Sequence, residues 1–347
     1  MSIVCKPAVV FPDRVLSQED WVEKKMASVL TPEQLASARA MARSALVEKR
    51  YFADDPLAEG YGDQSFEVRN RKSIKAATEL SLRAAKQAIE NAQLTPADID
   101  AVITVTVTGV MIPGLDVYLC NALDLPDDVV RMPAMQVGCA GGAWAMMMAD
   151  RLCRSGCKNV LIACAEISSV NWHNSVTTTD QLVSGLIFGD GAAAAVVRGE
   201  AGSGLSITGT TMGLVPNSWS SLGMNALNQG LEVVLRKNVP SLLQDATDHF
   251  HAIAARQGIA VRDFRHFVVH PGGRRILENF EKIFDVPKDA LHHSYDCMRE
   301  NGNISSASIL DVLRRLFQSG SASAGETVFF GGFGPGFSAV LGTGVWA

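Results

Sequence analysis

Apolar and polar positions alternate along this chain in blocks that predict an α/β protein. Over residues 72–93, Ile74, Ala77 and Leu80 keep the spacing of one apolar helix face. Residues 101–107 are rich in β-branched side chains and predict a strand. The first part of the chain predicts helices over residues 17–50, 72–93 and 140–154 and strands over residues 101–107, 159–166 and 192–198.

A glycine-rich break at residues 199–204 separates this series from a second one with the same rhythm. Each series ends on a Gly-rich turn followed by a strand of small residues, over 188–197 and 332–345. The repeat predicts two duplicated α/β halves, residues 1–203 and 204–347. The second half predicts helices over residues 239–257, 272–284 and 305–318 and strands over residues 264–270, 327–333 and 338–345.

Composition and charge indicate which partners and which cellular location to expect. The chain has 347 residues, 47% of them hydrophobic, and 30 glycines, which predicts a large core with many tight turns. Its net charge of −5, from 31 basic and 36 acidic residues, argues against nucleic acid as a partner. The sequence has no export signal and no apolar run of membrane-spanning length. We therefore expect a cytoplasmic protein with no membrane partner.

The cysteines indicate free thiols rather than disulfides or a metal site. There are seven, an odd number in a chain without an export signal. Cys153 and Cys157 lie four residues apart, but no histidine or second cysteine pair completes a zinc spacing. We therefore expect no metal site.

Cys139 lies in the sharpest local pattern, MPAMQVGCAGGAWAMMMADRLC at residues 132–153. An apolar strand there runs through Gly138 into small residues and then into a helix. Backbone N–H groups and the helix dipole at such a position favour a thiolate, as a nucleophilic cysteine requires. A buried structural cysteine would fit the same pattern.

Two motifs in the second half carry further polar candidates. His270 ends a hydrophobic strand in FRHFVVHPGG, at the edge where α/β sheets bind ligands. Asn303 lies in ENGNISSA, before an amphipathic helix. Taken singly, His270 would also fit a histidine satisfied by the backbone, and Asn303 would fit a turn or cap residue.

Together the motifs resemble those of the thiolase-superfamily condensing enzymes, and more narrowly those of the chalcone-synthase-related type III polyketide synthases. The resemblance runs from about Lys49 to the C-terminus. It rests on GCAGG, VVHPGG, ENGNISSA and GFGPGF, with TGVMIPG, CAEISSV, LIFGDGAAAAVV and VPNS in support. It implies a thiolase-like fold of five layers, αβαβα, with Cys139 in the first half and His270 and Asn303 in the second.

The resemblance implies a decarboxylative Claisen condensation. Cys139 would be a thiolate paired with the His270 imidazolium and would take an acyl starter from acyl-CoA as a thioester. His270 and Asn303 would donate hydrogen bonds to the thioester oxygen of malonyl-CoA while CO2 leaves. The product would be a pyrone, a resorcinol or a phloroglucinol-type ring. Coenzyme A thioesters are the implied substrates, no cofactor is implied, and residues 112–114 would reach across a homodimer.

The resemblance also implies how the pocket is enclosed. A Gly-rich turn would bring the backbone close to Cys139, since glycine leaves room for such an approach. Trp172 would be the aromatic gate between the coenzyme tunnel and the cavity. The turn consists of Gly332, Phe333, Gly334 and Pro335.

Three further residues, Thr108, Met224 and Ser305, fall at cavity positions of the family. Met224 stands where the plant enzymes have glycine, and Val107 stands where the naphthalene-forming bacterial relatives have an extra cysteine. We therefore expect neither the plant chalcones and stilbenes nor a naphthalene product.

Basic residues are candidates to bind coenzyme A or an acyl carrier protein. Arg274 and Arg275 follow HPGG at a helix start, where two cations are unfavourable to the helix dipole, so we interpret them as a docking point for an anionic carrier. Arg39 and Arg43 lie one helical turn apart, and a solvated basic face explains them equally well. The full set is Arg39, Arg43, Lys49, Arg50, Arg274 and Arg275.

Three alternatives remain open at this point. An initiating β-ketoacyl-carrier-protein synthase shares the implied fold and the Cys, His and Asn. A cysteine hydrolase uses the same residue types in the same chain order. A catalytically inactive partner subunit is the third alternative, although all three residues are retained here.

Overall fold

Helices and strands alternate along the part of the chain that the structure, a computed structural model, describes: residues 2–176, 178–200 and 202–347. The α-helices are α1 Gln18–Asp20, α2 Pro32–Ser44, α3 Phe66–Asn91, α4 Leu115–Leu123, α5 Gly141–Arg154, α6 Thr179–Ile187, α7 Leu242–Asp245, α8 Thr247–Ala255, α9 Arg274–Phe284, α10 His292–Asn301 and α11 Ser308–Ser319. The strands are β1 Ser2–Val4, β2 Ala8–Val10, β3 Arg14–Ser17, β4 Lys49–Phe52, β5 Ala101–Val105, β6 Val130–Ala134, β7 Asn159–Ile167, β8 Asp190–Arg198, β9 Leu205–Leu214, β10 Leu222–Leu227, β11 Gly230–Leu235, β12 His266–Val269, β13 Thr327–Gly334 and β14 Ser338–Trp346.

Hydrogen bonds join the strands of both halves into one sheet. Its order is β12-β13-β14-β9-β1-β8-β7-β5-β6, and β2 also pairs with β8. Strand β1 lies between β8 and β9 and is antiparallel to both. The pairs β5–β6, β5–β7 and β12–β13 are parallel. The ladder therefore continues from one predicted half into the other.

Alternating side chains on this sheet build five layers. Val102 on β5 packs in a cluster with α3 and α4, whereas its neighbour Ile103 packs in another with α5 and α11. Phe330 on β13 faces that same central cluster, and Phe329 faces a third cluster with α8 and α9. Helices α5 and α11 thus lie between the two parts of the sheet, with α3 and α4 outside one part and α8 and α9 outside the other, which confirms the αβαβα prediction.

Most predicted elements are present, with shifted ends, but the helix predicted over residues 17–50 is divided and ends before β4. Thr31 caps α2, where its hydroxyl accepts from the Gln34 N–H at 3.3 Å and the Gln34 side chain accepts from the Thr31 N–H at 3.0 Å. Pro32 takes the first helical position, which suits its missing N–H. The chain then enters β4 at Lys49, so a capped proline start and a strand divide the segment.

The helix predicted over 239–257 is likewise divided, into α7 and α8. Helix α3 begins earlier than predicted, at Phe66, where the Ser65 hydroxyl accepts from the Val68 N–H. Helices α4, α6 and α10 and the hairpin β10–β11 have no counterpart in the sequence-based prediction. Among the described helices, none combines the length and the apolar character needed to span a bilayer.

Candidate active site

Cys139 lies on a short 3-10 turn, Gly138–Ala140, immediately before α5, as the strand–turn–helix pattern predicts. Gly138 has φ +55°, a conformation that favours glycine. A Cβ at this position would lie 2.3 Å from Cδ of Pro335. The turn that presents Cys139 therefore requires glycine on two grounds, its backbone angle and its contact with Pro335.

The Gly-rich end of β13 passes directly beside this turn. A Cβ on Gly334 would lie 2.5 Å from the Val137 carbonyl oxygen, and a Cβ on Gly332 would lie 3.3 Å from Cα of Ala140. The predicted close approach to the cysteine turn is thus present. Neither glycine lines either of the two cavities that reach Cys139, whereas Pro335 lines one of them and Phe333 lines the other.

His270 follows β12 and is 1% exposed. Its backbone N–H donates to the Gly331 carbonyl on β13 at 2.8 Å, which continues the parallel pairing of the two strands. Its ring lies against Gly272, where a Cβ would be 3.6 Å from Cδ2 and Nε2. The HPGG turn thus holds the imidazole beside its own backbone.

Asn303 lies between α10 and α11 and is also 1% exposed. Its backbone bridges to the first half: its N–H donates to the Ile187 carbonyl at 2.7 Å, and its carbonyl accepts from the Gly189 N–H at 3.1 Å. In the side chain, Nδ2 donates to the Gly272 carbonyl at 3.2 Å and Oδ1 accepts from the Ser305 N–H at 2.8 Å. Asn303 and His270 therefore converge on Gly272.

Ser305 connects this arrangement to the sulfur. Its Oγ lies 3.4 Å from Sγ of Cys139, and its backbone N–H is bonded to Asn303. Cys139, His270 and Asn303 together line one cavity of about 960 Å³. The structure thus brings the three predicted residues, from two distant parts of the chain, to one cavity.

Burial acts against the charged forms of Cys139 and His270. Burial raises the pKa of the Cys139 thiol to about 11, although the Ser305 hydrogen bond lowers it. Burial lowers the pKa of His270 to about 3, and neither ring nitrogen has a hydrogen-bond partner within the described residues. Burial thus disfavours the charged form of each group taken singly. The thiolate–imidazolium pair stays a prediction.

A second cavity, of about 100 Å³, also reaches Cys139. Phe188, Leu222, Glu232 and Val233 line both cavities, so they lie at the junction. The predicted pocket residues found on the smaller cavity are Thr108, Trp172, Met224, Ser305 and Pro335.

Phe188 is the aromatic residue that lines both cavities, and the assignment of Trp172 as the gate stays a prediction. Trp172 lines the smaller cavity alone, and its Nε1 donates to Oδ1 of Asn174 at 3.3 Å. Phe188 ends α6, and its carbonyl accepts from Nη1 of Arg50 at 2.9 Å. Phe188 could have been singled out in the sequence, because it is the aromatic residue directly before Gly-Asp-Gly in the LIFGDG motif.

Glu166, near Cys139, was not singled out in the sequence, although CAEISSV contains it. Its carboxylate accepts from the Val107 N–H at 3.0 Å, the Thr108 hydroxyl at 3.2 Å and the Ser306 hydroxyl. Burial raises its pKa to about 7, and these hydrogen bonds lower it in part. The sequence did contain a signal for Glu166, because it is the one acidic residue in a predicted strand of small and apolar residues.

Arg50 does not face an anionic ligand, so its prediction as a coenzyme A residue is wrong. It is 2% exposed, and its guanidinium donates to the Gly185 and Phe188 carbonyls at 2.7 and 2.9 Å. It also stacks over Trp21, 5.3 Å from the ring centroid. The Arg50 guanidinium therefore binds carbonyl groups at the C-terminal end of α6.

Three other basic candidates lie away from the cavity walls. Arg39 is paired with Glu23, with Nε 2.8 Å from Oε1. Arg43 is exposed on α2, the helix whose Met41 lines the mouth of the larger cavity, and Lys49 is exposed on β4. Their coenzyme A role stays a prediction.

The larger cavity has a basic rim, defined here as Arg236, Lys237, Arg274 and Arg275. All four are exposed. Arg274 pairs with Glu278 at 2.7 Å, and Arg236 lies 3.8 Å from Asp180. Arg236 and Lys237 were missed in the sequence, where they form the basic pair of LRKNVP.

No group of three or more metal-ligating side chains occurs in the described ranges. The site consists of an imidazole and a carboxamide on the larger cavity, which has a cationic rim, and of a thiol that lines both cavities. Such a set can transfer an acyl group through a thioester and stabilise an oxyanion.

Comparisons with known proteins extend over nearly the whole chain. The sequence model of the N-terminal domain of chalcone and stilbene synthases matches residues 4–201, and that of their C-terminal domain matches residues 206–343.

Individual relatives agree with these matches. The chain is 32% identical to the phloroglucinol synthase of Pseudomonas fluorescens, covering 100% of this chain and 99% of the relative. It is 30% identical to the 1,3,6,8-tetrahydroxynaphthalene synthase of Streptomyces coelicolor, covering 100% of this chain and 92% of that one. The crystal structure of the Streptomyces coelicolor enzyme, a bacterial type III polyketide synthase, superimposes with a TM-score of 0.94 over 99% of both chains.

Proposed function

This chain belongs to the chalcone and stilbene synthase family and is a type III polyketide synthase, and from that premise we propose that Cys139, His270 and Asn303 are its catalytic residues. The observation that carries the proposal is their common cavity, reached from both halves of the chain. The protein is thus a decarboxylating acyltransferase, and family membership leaves no support for a cysteine hydrolase.

The first step loads the starter acyl group. Sγ of Cys139 attacks the carbonyl carbon of an acyl-CoA while His270 takes the thiol proton. The C–S bond to coenzyme A breaks, and the departing thiolate receives that proton. Burial disfavours each charge singly, and attraction between the thiolate and the imidazolium offsets part of the cost of forming them.

The second step makes the carbon–carbon bond. Malonyl-CoA loses CO2, and the electron pair of the broken bond leaves an enolate with negative charge on the thioester oxygen. His270 and Asn303 donate hydrogen bonds to that oxygen, at about 3–4 kcal/mol per well-placed donor. The enolate carbon then attacks the acyl thioester, which lengthens the chain by two carbons and frees the Cys139 thiolate.

The two cavities divide these tasks. The larger one, with its basic rim, receives the pantetheine arm and phosphates of coenzyme A, and the smaller one holds the acyl chain. The shared lining by Cys139 supports this division, because the sulfur is reached from both sides. An acyl carrier protein is a second donor that the exposed cations of the rim would suit.

Chain release gives a pyrone, a resorcinol or a phloroglucinol-type ring. The relatives that carry this proposal are named for phloroglucinol and for 1,3,6,8-tetrahydroxynaphthalene. Val107 of this chain lines the smaller cavity. We also propose a homodimer in which the segment around residues 112–114 meets the partner, because Ile112 there is 98% exposed.

The test is incubation of the purified protein with malonyl-CoA, alone and with a panel of acyl-CoAs, followed by mass spectrometry. We expect CO2 and coenzyme A release together with a cyclised polyketide, all lost in Cys139→Ala. Product formation by that variant would instead support an inactive partner subunit. Activity only with malonyl-carrier protein and no cyclised product would contradict the polyketide assignment.

The basic rim has its own test. Charge reversal in the double variant Arg274→Glu/Arg275→Glu should raise KM for malonyl-CoA about tenfold, or about 1.4 kcal/mol, with an unchanged melting temperature. The matched control is Arg83→Glu/Lys86→Glu on the exposed face of α3, which changes the net charge equally. Added salt should reduce the difference in KM between the rim variant and the wild type, because salt screens exposed charges. An equal KM in both double variants would show that Arg274 and Arg275 do not contribute to substrate binding.

A further inference from the structure

Arg50 is a buried cation that has no part in the proposed chemistry. Burial lowers its pKa to about 10, which leaves the guanidinium charged at neutral pH. Its hydrogen bonds go to neutral oxygens, those of Gly185, Phe188 and Gln18. A buried charge that is bonded only to neutral groups is costly, so packing alone does not explain an arginine at this position.

The guanidinium binds the C-terminal end of α6 through two carbonyls on its last turn. Nη1 donates to the Gly185 carbonyl at 2.7 Å and to the Phe188 carbonyl at 2.9 Å. Carbonyls at a helix C-terminus have no partner within the helix and carry partial negative charge, which a cation satisfies. Gln18 supports the same end, since its Nε2 donates to the Leu186 carbonyl at 2.8 Å and its Oε1 accepts from Nη2 of Arg50 at 3.0 Å.

The aliphatic part of Arg50 packs against the segment that carries Asn303. Gly302 directly precedes Asn303 and has φ +68°, a conformation that favours glycine. A Cβ on Gly302 would lie 2.9 Å from Cγ of Arg50 and 3.0 Å from its Cδ. Position 302 therefore has no room for a side chain beside Arg50. One arginine thus contacts the end of α6 and the Asn303 segment at the same time.

Two backbone hydrogen bonds join these same segments. The Asn303 N–H donates to the Ile187 carbonyl at 2.7 Å, and the Asn303 carbonyl accepts from the Gly189 N–H at 3.1 Å. Ile187 lies between the two residues whose carbonyls Arg50 binds. Cys139 belongs to the first half of the chain and Asn303 to the second, so contacts between the halves decide how these two side chains lie relative to each other.

We infer that Arg50 is a positioning residue, which fixes the backbone bridge between α6 and the Asn303 segment and thereby places Asn303 for malonyl-CoA decarboxylation. This inference rests on the proposed function, in which Asn303 donates to the enolate oxygen. A displacement of about 1 Å at such a group can lower a rate by as much as about a hundredfold. Acyl transfer to Cys139 uses no donor from Asn303 in that scheme, so Arg50 matters for one step and not for the other.

The experiment measures the two steps separately. Acyl transfer from hexanoyl-CoA to Cys139 is followed by rapid quenching and intact-protein mass spectrometry, and decarboxylation is followed by CO2 release from malonyl-CoA. Arg50→Met keeps an unbranched stem and removes the guanidinium. We expect decarboxylation to fall about tenfold while acyl transfer stays within about twofold of the wild-type rate. Arg50→Lys keeps a cation at the end of α6 and should recover part of the lost decarboxylation.

Arg69→Met is the matched control, because Arg69 is also buried and also donates to two backbone carbonyls. Its Nη1 donates to the Val170 carbonyl at 2.7 Å and to the Trp172 carbonyl at 2.9 Å, and it lines neither cavity. Partial unfolding lowers both rates in proportion to the folded fraction. The ratio of decarboxylation to acyl transfer should therefore stay at the wild-type value in Arg69→Met, with circular dichroism and melting temperatures recorded for every variant.

A double variant shows whether Arg50 acts through Asn303. Effects of residues that act through one another do not add, so Arg50→Met should cost less than about twofold in an Asn303→Ala background. Arg50 also lines the smaller cavity, and a full tenfold loss in that background would indicate direct contact with substrate and overturn the inference.

Two further outcomes are decisive. A wild-type ratio of the two rates in folded Arg50→Met would overturn the inference, and Arg50→Lys decides the matter if Arg50→Met does not fold. Both results leave the condensation chemistry intact. Absence of CO2 and coenzyme A release from wild-type protein would instead defeat the proposed function itself.

Discussion

The Asn303 carboxamide uses its two ends for different partners. Its oxygen accepts from the Ser305 N–H at 2.8 Å, which fixes the start of the turn into α11. Its nitrogen donates to the Gly272 carbonyl at 3.2 Å and is the proposed donor to the enolate oxygen. One residue thus serves both the local fold and the proposed chemistry.

Asn303→Asp separates these two roles. Aspartate still accepts the hydrogen bond from Ser305, but it brings a carboxylate where an N–H donor is needed. We expect malonyl-CoA decarboxylation to fall about 10²–10³-fold, with a small change in melting temperature. Asn159→Asp is the control, since that amide also donates to a backbone carbonyl, at 2.8 Å from Asp98. An equal decarboxylation rate in both variants would show that Asn303 is not needed for the reaction.

Glu166 should make stability depend on pH. Burial raises its pKa from about 4.5 to about 7, so the folded protein favours the protonated acid. A raised acid pKa contributes stability that is complete below pH 4.5 and is lost as pH rises through 7. Relative to Glu166→Gln, the wild type should lose about 3 kcal/mol of unfolding free energy over that window. Urea titrations at several pH values measure this, and parallel curves for the two proteins would contradict it.

At the level of elements, contact between β13 and the Cys139 turn decides the shape of the site. Gly334 ends β13 with the Val137 carbonyl beside its Cα, so this position has no space for a side chain. Neither β6 nor α5 alone would define where the turn between them lies. The packing of a strand from the second half onto this turn does so.

Gly334→Ala should therefore displace the turn. The new methyl group would lie 2.5 Å from a backbone oxygen, and backbone yields less readily than a flexible side chain. We expect a loss of about 1–3 kcal/mol in unfolding free energy, with a lower rate of acyl-enzyme formation. Gly202→Ala is the control, because a Cβ there meets only side-chain atoms at 4.0 Å. Equal stability of the two variants would show that β13 adapts without cost.

Across the whole molecule, the site is assembled at the seam between the halves. Residue 188 of the first half forms a parallel bridge with Asn303 of the second, and Glu166 accepts from Ser306 across the same seam. One sheet and one central pair of helices continue through both halves. The boundary between the predicted duplicated halves, at residues 203/204, stays a prediction. The sheet and the central cluster contain residues from both sides of it, so the two halves are packed together.

The proposed dimer belongs to this scale. Ile112 is 98% exposed and Val110 is 44% exposed on the loop after β5, and β6 is an edge strand of the sheet. Apolar groups so placed suit a second copy of the chain. Ile112→Asp should shift the protein towards monomer in light scattering after size exclusion, whereas Trp219→Asp should not. A monomeric wild type would end the proposal.

Local patterns in the sequence determined much of this protein. Periodicity and β-branched runs located α3, α5, β5 and most of the sheet, because those signals depend on neighbouring residues. Four short motifs identified Cys139, His270, Asn303 and the glycines beside the turn, because each demands particular residue types at fixed spacing.

Side-chain environments came only from the packed fold. The sequence predicts Arg50 as a surface cation, yet it is buried and donates to the carbonyl of Gly185, 135 residues away. Phe188 lines both cavities, and burial raises the pKa of Cys139 and lowers the pKa of His270. Hydration, cavity volume and contacts between distant segments depend on every element that packs around a residue, so a local pattern carries no record of them.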